Sequence, residues 1–234
     1  MNIITTDEYS SFNFEKIDIS DPCLTMNGHY YSNIKFNDLN DAIIIQIPKC
    51  VIKYTLNSNY IDVILDIEKI NENILLFFVN LDERMQEIIF ENTHWFPKPI
   101  TKKFIYDSYI SSLKTQTKQL YKMCINIATN YMGEEDKLPN ITDSSGNQSS
   151  IEMLVDNKNE MSLDIEIKGL SFTSQSFKID IFVKNIVMCN TIDNENVKPI
   201  ETKIIGGGEI THNDTHINVP ENNKLLTTTA GDDG

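Results

Sequence analysis

The chain has 234 residues, 40% of them hydrophobic and 9% aromatic, and a formal net charge of −14. That length and apolar content support a folded core in one large or two small domains, and no window approaches the ~20 consecutive apolar residues of a membrane helix. The N-terminus, MNIITTDEYSS, lacks the charged and apolar regions of a signal peptide, so a reducing, cytosol-like compartment is expected, and Cys23, Cys50, Cys124 and Cys189, with no CxxC pair, fit buried small side chains better than disulfides or a zinc site.

Residues 1–33 mix Asn, Asp, Ser and Tyr around short apolar pieces and read as an N-terminal arm or one edge strand. Ala42 to Ile47 is an apolar run ended by Pro48, and Val51 to Leu56 resumes with β-branched residues, which predicts two short strands or one strand broken at the proline. After a turn at Asn57–Asn59, Tyr60 to Ile67 alternates apolar and acidic side chains, the pattern of a strand with one wet face. Ile74 to Val79 is apolar on both faces and predicts a central strand.

From Leu81 the period becomes helical, with Asp82 and Glu83 in the first turn, where negative charge suits the helix dipole. A second amphipathic helix is expected over Thr101 to Ile110, with Ile100, Phe104, Ile105 and Tyr109 on its apolar stripe, and Trp95 and Phe96 before it read as its anchors in the core. Leu120 to Ala128 alternates again, 133–150 is a long polar loop, and Ile151 to Val155 starts a strand. Met161 to Phe172 and Phe177 to Met188 form a hairpin. Residues 191–234, rich in Asn, Thr, Gly and Asp, read as a flexible C-terminal tail that cannot bury enough apolar surface to offset its ordering entropy. The fold class expected is mainly β with inserted helices (α+β): an OB-like small β-barrel domain over 34–190, capped by a helix pair in an insertion at 81–112, with a sandwich as the other arrangement.

Positive charge is concentrated in one stretch. Between His94 and Cys124 lie Lys98, Lys102, Lys103, Lys114, Lys118 and Lys122 against a single Asp107, or +5, whereas residues 1–97 carry −9 and residues 125–234 carry −10. A polyanion would be repelled by the summed field of such a molecule, so only a segregated cationic patch could hold one; the alternative is a solvated face with ordinary lysines. In the last hairpin, period two puts Phe177, Ile179, Ile181 and Val183 in the core and Lys178, Phe182 and Lys184 on the opposite face, where Lys168 and Phe172 of the first strand join them. A ring between lysines suits a base stacked on it with phosphates at the ammonium groups; the other reading is that Phe182 packs under the inserted helices.

Walker A, GxSxG, GxGxxG and HExxH signatures are absent, which points away from an enzyme. No cofactor is implied, and THNDTHINV offers His212 and His216 no helical face for a metal.

The run ENTHWFPKPITKKFIYDSYISSLK resembles a segment of proteins of nucleocytoplasmic large DNA viruses, and IEIKGLSFTSQSFKIDIFVKNIVM is similar to the final hairpin of the same proteins. These in turn resemble podophage-type single-stranded DNA-binding proteins, which have an OB barrel, an inserted helix and an acidic C-terminal tail. The likeness spans residues 40–190; Pro97 stands where the family has glycine, and the chain ends Asp232, Asp233, Gly234 without a terminal aromatic. It implies a sequence-nonspecific single-stranded DNA-binding protein acting in replication, recombination or repair, in host cytoplasm or virion. Its implied partners are single-stranded DNA, viral replication proteins and further copies of itself, with no membrane. The expected contacts are Lys98, Lys102, Lys103, Lys114, Lys118, Lys122, Lys168, Phe172, Lys178, Phe182 and Lys184. A virion structural protein with no nucleic-acid role is the alternative.

Overall fold

Eleven residues from Ile43 to Lys53 form one long strand, β5, in which Ile43, Ile45, Ile47, Cys50 and Ile52 are buried. The strand is not broken at Pro48: Lys49 takes a positive φ of 53° and lets it bend and continue. In a computed structural model the described residues are 3–5, 7–25, 28–36, 42–127, 138–155 and 160–189. Before β5 come β1 (Ile3–Ile4), β2 (Ile17–Ile19), β3 (Cys23–Leu24) and β4 (Tyr30–Phe36). After it come β6 (Tyr60–Asp66), α1 (Asn73–Glu91), α2 (Lys102–Ser108), β7 (Tyr109–Ile110), β8 (Lys114–Thr115), β9 (Leu120–Asn126), β10 (Asn140–Thr142), β11 (Glu160–Phe172) and β12 (Phe177–Met188).

Five strands pair in a closed sequence. β5 pairs β6 and β6 pairs β9 antiparallel, β9 meets β12 in parallel, β12 pairs β11 antiparallel, and β11 returns to β5. Their inward side chains, among them Ile45, Ile61, Val63, Met123, Ile125, Ile165 and Ile181, form one core with the buried face of α1. The segment before β5 is built into this body: β1 lies parallel to β5, Tyr9 is buried, and β4 pairs β11.

Several expectations are corrected. Ile74 to Val79 is the start of α1, not a central strand. Its run is apolar all round because Ile74, Phe77, Phe78 and Leu81 line the buried face while Leu76 and Val79 are exposed. Ile151–Leu154 is a 3-10 turn instead of a strand. In α2 only Ile105 is buried; Thr101 caps the helix by accepting from the Phe104 amide, and Phe104 is 44% exposed. All four cysteines are free, but only Cys50 is buried, and Cys23 and Cys124 are exposed. No helix among the described residues is long and apolar enough to cross a membrane. The tail at 191–234, with His212 and His216, and loop residues 133–137 lie outside the described residues.

The β11–β12 hairpin carries two extra residues that decide which side chains reach the surface. Ile167 pairs Ile181 and Gly169 pairs Asp180, so Lys168 is an unpaired bulge; Ile165 pairs Val183 and Asp164 pairs Asn185, so Lys184 is another. One extra residue reverses the face of everything beyond it. Phe172 therefore lies opposite Phe177 on the core side.

Candidate nucleic-acid interface

The outer face of β6 and β9 is wet because their alternate residues, Ile61, Val63, Leu65, Met123 and Ile125, are buried inside. Register places Tyr60 opposite Asn126, Asp62 opposite Cys124 and Ile64 opposite Lys122 on that face. β8 adds Lys114 beside Lys122, and β5 adds Lys53 beside Asp62. From the other side β12 contributes Lys178, and β7 runs parallel to it with Ile110 paired to Lys178. Between them is an open cleft of about 230 Å³, lined in part by Ile110, Ser112, Lys114, Cys124, Asn126 and Lys178.

Lys114 and Lys178 line the cleft, and Lys122 lies across the β8–β9 register from Lys114. The Cys124 thiol feels all of them: burial and Asp62 push it above the ordinary value, while Lys122, Lys178 and Lys114 pull it down. Two of the three have carboxylate partners. Lys122 Nζ lies 2.6 Å from Asp62 Oδ2, and that hydrogen bond raises the lysine above its usual value. Lys178 Nζ lies 3.1 Å from Asp180 Oδ1. The Asp180 side chain is fully buried; desolvation raises its carboxyl above the usual range, partly offset by Lys178, Ser171 and Asn126. Among the described residues Lys114 has no carboxylate partner and is exposed. With Lys53 the face presents four cations against Asp62, Asp66 and Asp180. Tyr60, 51% exposed, supplies an accessible ring beside them. Such a surface can hold phosphates as point charges and stack a flat group.

Of the eleven expected contacts, the structure brings Lys114, Lys122 and Lys178 together here. Lys118 is exposed in the turn joining β8 to β9. Lys98 is exposed between Pro97 and Pro99, Lys102 sits 4.7 Å from the Phe90 ring centroid, and Lys103 is 2.6 Å from Asp107, all on or before α2. Lys184 is 3.0 Å from Glu166.

Both rings are corrections. Phe172 is 6% exposed and packs edge-on against Trp95 and Phe177, because the Lys168 bulge turns it inward. Phe182 keeps the face opposite Ile181 but is 1% exposed, with the Lys168 ammonium 5.5 Å from its centroid. Neither ring has a surface on which a base could stack, so the expected stacking platform is absent from that hairpin. Trp95 and Phe96 pack against Phe172, in line with an anchoring role. Sequence reasoning missed Lys53 and Tyr60; the signal for both was the wet face of the Tyr60–Asp66 strand.

No protein-family model and no curated protein matches the chain. Similar solved structures include gp2.5, a single-stranded DNA-binding protein encoded by bacteriophage T7, with 10% identity, a TM-score of 0.44, and 66% of this chain and 97% of that one covered. The single-stranded DNA-binding protein of bacteriophage Enc34 is similar at 8% identity and a TM-score of 0.39, covering 73% of this chain and 86% of that one. Its complex with single-stranded DNA gives 8% identity and a TM-score of 0.37, covering 73% and 91%. These likenesses are distant, and the functional reading rests on the side chains of the cleft.

Proposed function

We propose that this chain is a non-enzymatic protein that binds single-stranded DNA without sequence preference on the outer face of β6 and β9. The observation that carries the reading is that Lys114 and Lys178, from separate strands, line one open cleft, with Lys122 in register beside Lys114, in a molecule of net charge −14. A cationic face on so acidic a protein selects a polyanion locally. We read the closed sequence of five strands as an OB-like barrel capped by α1 and α2. In chain order β6 and β9 are its second and third strands, the face on which OB folds take oligonucleotides. Tyr60 would stack a base while Lys53, Lys114, Lys122 and Lys178 meet phosphates. The resemblance of the Trp95–Lys114 run to large DNA virus proteins supports a setting in viral replication, recombination or repair.

Competition tests the preference for single strands. Labelled oligothymidine bound to the chain should be displaced by unlabelled oligothymidine and poorly by duplex at equal phosphate concentration; equal displacement by duplex would contradict the reading.

A further inference from the structure

One wall of the cleft is anchored to the core at Tyr109 and Leu113 and is exposed between and beyond them. It is the link from α2 to β8, where Ile110 is 40% exposed and Ser111 and Lys114 are exposed. β7 ties its start to β12 and β8 ties its end to β9, and between the two a carboxylate from another element holds it. Asp82 of α1 is 5% exposed and accepts four hydrogen bonds from this link. Its Oδ1 accepts from the Tyr109 hydroxyl at 3.0 Å and the Ser112 hydroxyl at 2.7 Å. Its Oδ2 accepts from the Ser111 hydroxyl at 2.7 Å and the Ser112 amide at 2.9 Å. Among the described residues no lysine or arginine shares this carboxylate, so its charge is met by neutral donors alone. The Tyr109 hydroxyl is pushed well above its ordinary value by burial and by Asp82, which keeps it a donor.

We propose that Asp82 is a positioning residue for the nucleic-acid face: it clamps residues 109–112 to α1 and thereby holds the Lys114 ammonium at the cleft. The assignment rests on the single-stranded DNA reading above. The chemistry of the clamp requires an ion with two acceptor oxygens, since each oxygen already serves two donors. An amide in its place would turn an N–H group toward two of the four donors. The link would then be released on one side, and Lys114, two residues beyond Ser112, would be held by its pairing to β9 alone, while the strands of the core stay as they are.

The test is a double-mutant cycle of Asp82→Asn and Lys114→Ala, with Ser112→Ala as a milder variant, read by oligothymidine titration at several salt concentrations. Asp82→Asn should weaken binding about as much as Lys114→Ala, roughly three- to tenfold at low salt, and reduce the log–log salt slope by about 0.7, the share of one lost phosphate contact on a single strand. In the double variant the losses should not add. A folded Asp82→Asn chain with unchanged affinity and slope, or losses that add in full, would overturn the proposal. Ser112→Ala should give a smaller loss of the same kind, and keeps the test decisive if Asp82→Asn does not fold. If the parent chain binds no oligothymidine, the single-stranded DNA reading fails by itself. Hydrogen exchange then decides the clamp: faster exchange confined to the 109–114 amides in the variants supports it, and unchanged exchange overturns it.

Discussion

Lys114 and Lys122 stand directly opposite each other across β8 and β9. Like charges so placed repel, at a cost of the order of a few tenths of a kcal/mol, and only Lys122 is relieved, by Asp62 at 2.6 Å. A pair that costs stability is explained if the site's occupant is an anion. Lys114→Ala should therefore leave the urea midpoint unchanged or slightly higher, within about 1 kcal/mol, while oligothymidine affinity falls several-fold. A loss of stability with no loss of affinity would assign Lys114 a packing role instead.

Tyr60 and Phe182 separate stacking from packing. Tyr60 is half exposed on the wet face, and Phe182 is 1% exposed. Tyr60→Ala should cost roughly 1–3 kcal/mol of oligothymidine binding and little stability. Phe182→Ala should destabilise the fold by about 3–5 kcal/mol. Paired binding and denaturation curves for both variants check this, and the opposite pattern would return the stacking role to the hairpin.

Gly169 is required by close approach. A Cβ there would collide with the Tyr31 ring and lie 2.6 Å from the Ser32 carbonyl oxygen, which as backbone cannot swing away. Gly169→Ala should destabilise the chain by roughly 1–3 kcal/mol or more, read as a drop in the urea midpoint at constant slope.

Asp180 gives a pH dependence of definite sign. Its carboxyl in the folded chain sits above the ordinary 3.8, chiefly through burial. As pH rises through that ordinary value the unfolded chain ionises first, so this group's contribution falls until the folded carboxyl ionises too, and stays low at neutral pH. Relative to the parent, Asp180→Asn should gain more stability at pH 7 than at pH 3, measured by urea midpoints at both. An equal difference at the two pH values would show that burial does not perturb this carboxyl.

The alternation of β6 was legible because a strand with one buried face prints its period in the sequence, whereas in β12 the period misplaced Phe182, since Asp180 and Phe182 on its other face are buried as well. The start of α1 was not, since NILLFFV is apolar on every side and a short apolar run suits strand and helix alike. The inward turn of Phe172 depends on the bulge at Lys168, whose one trace in the sequence is the glycine that follows it. Lys178 lies far along the chain from Lys114 and Lys122, and the parallel contacts of β12 with β7 and β9 bring them together. The lysine island at 98–122 looked continuous, yet the chain divides it between α2 and the β8–β9 hairpin.

The most direct test of the central claim is oligothymidine binding against salt for the parent and for Lys114→Ala/Lys122→Ala/Lys178→Ala. The account predicts a parent whose log affinity falls with log salt at a slope of about −2 to −3, as expected for three to four phosphate contacts on a single strand, and a triple variant with most of that slope removed. A parent that does not bind, or a triple variant that keeps the parent's slope, would contradict it.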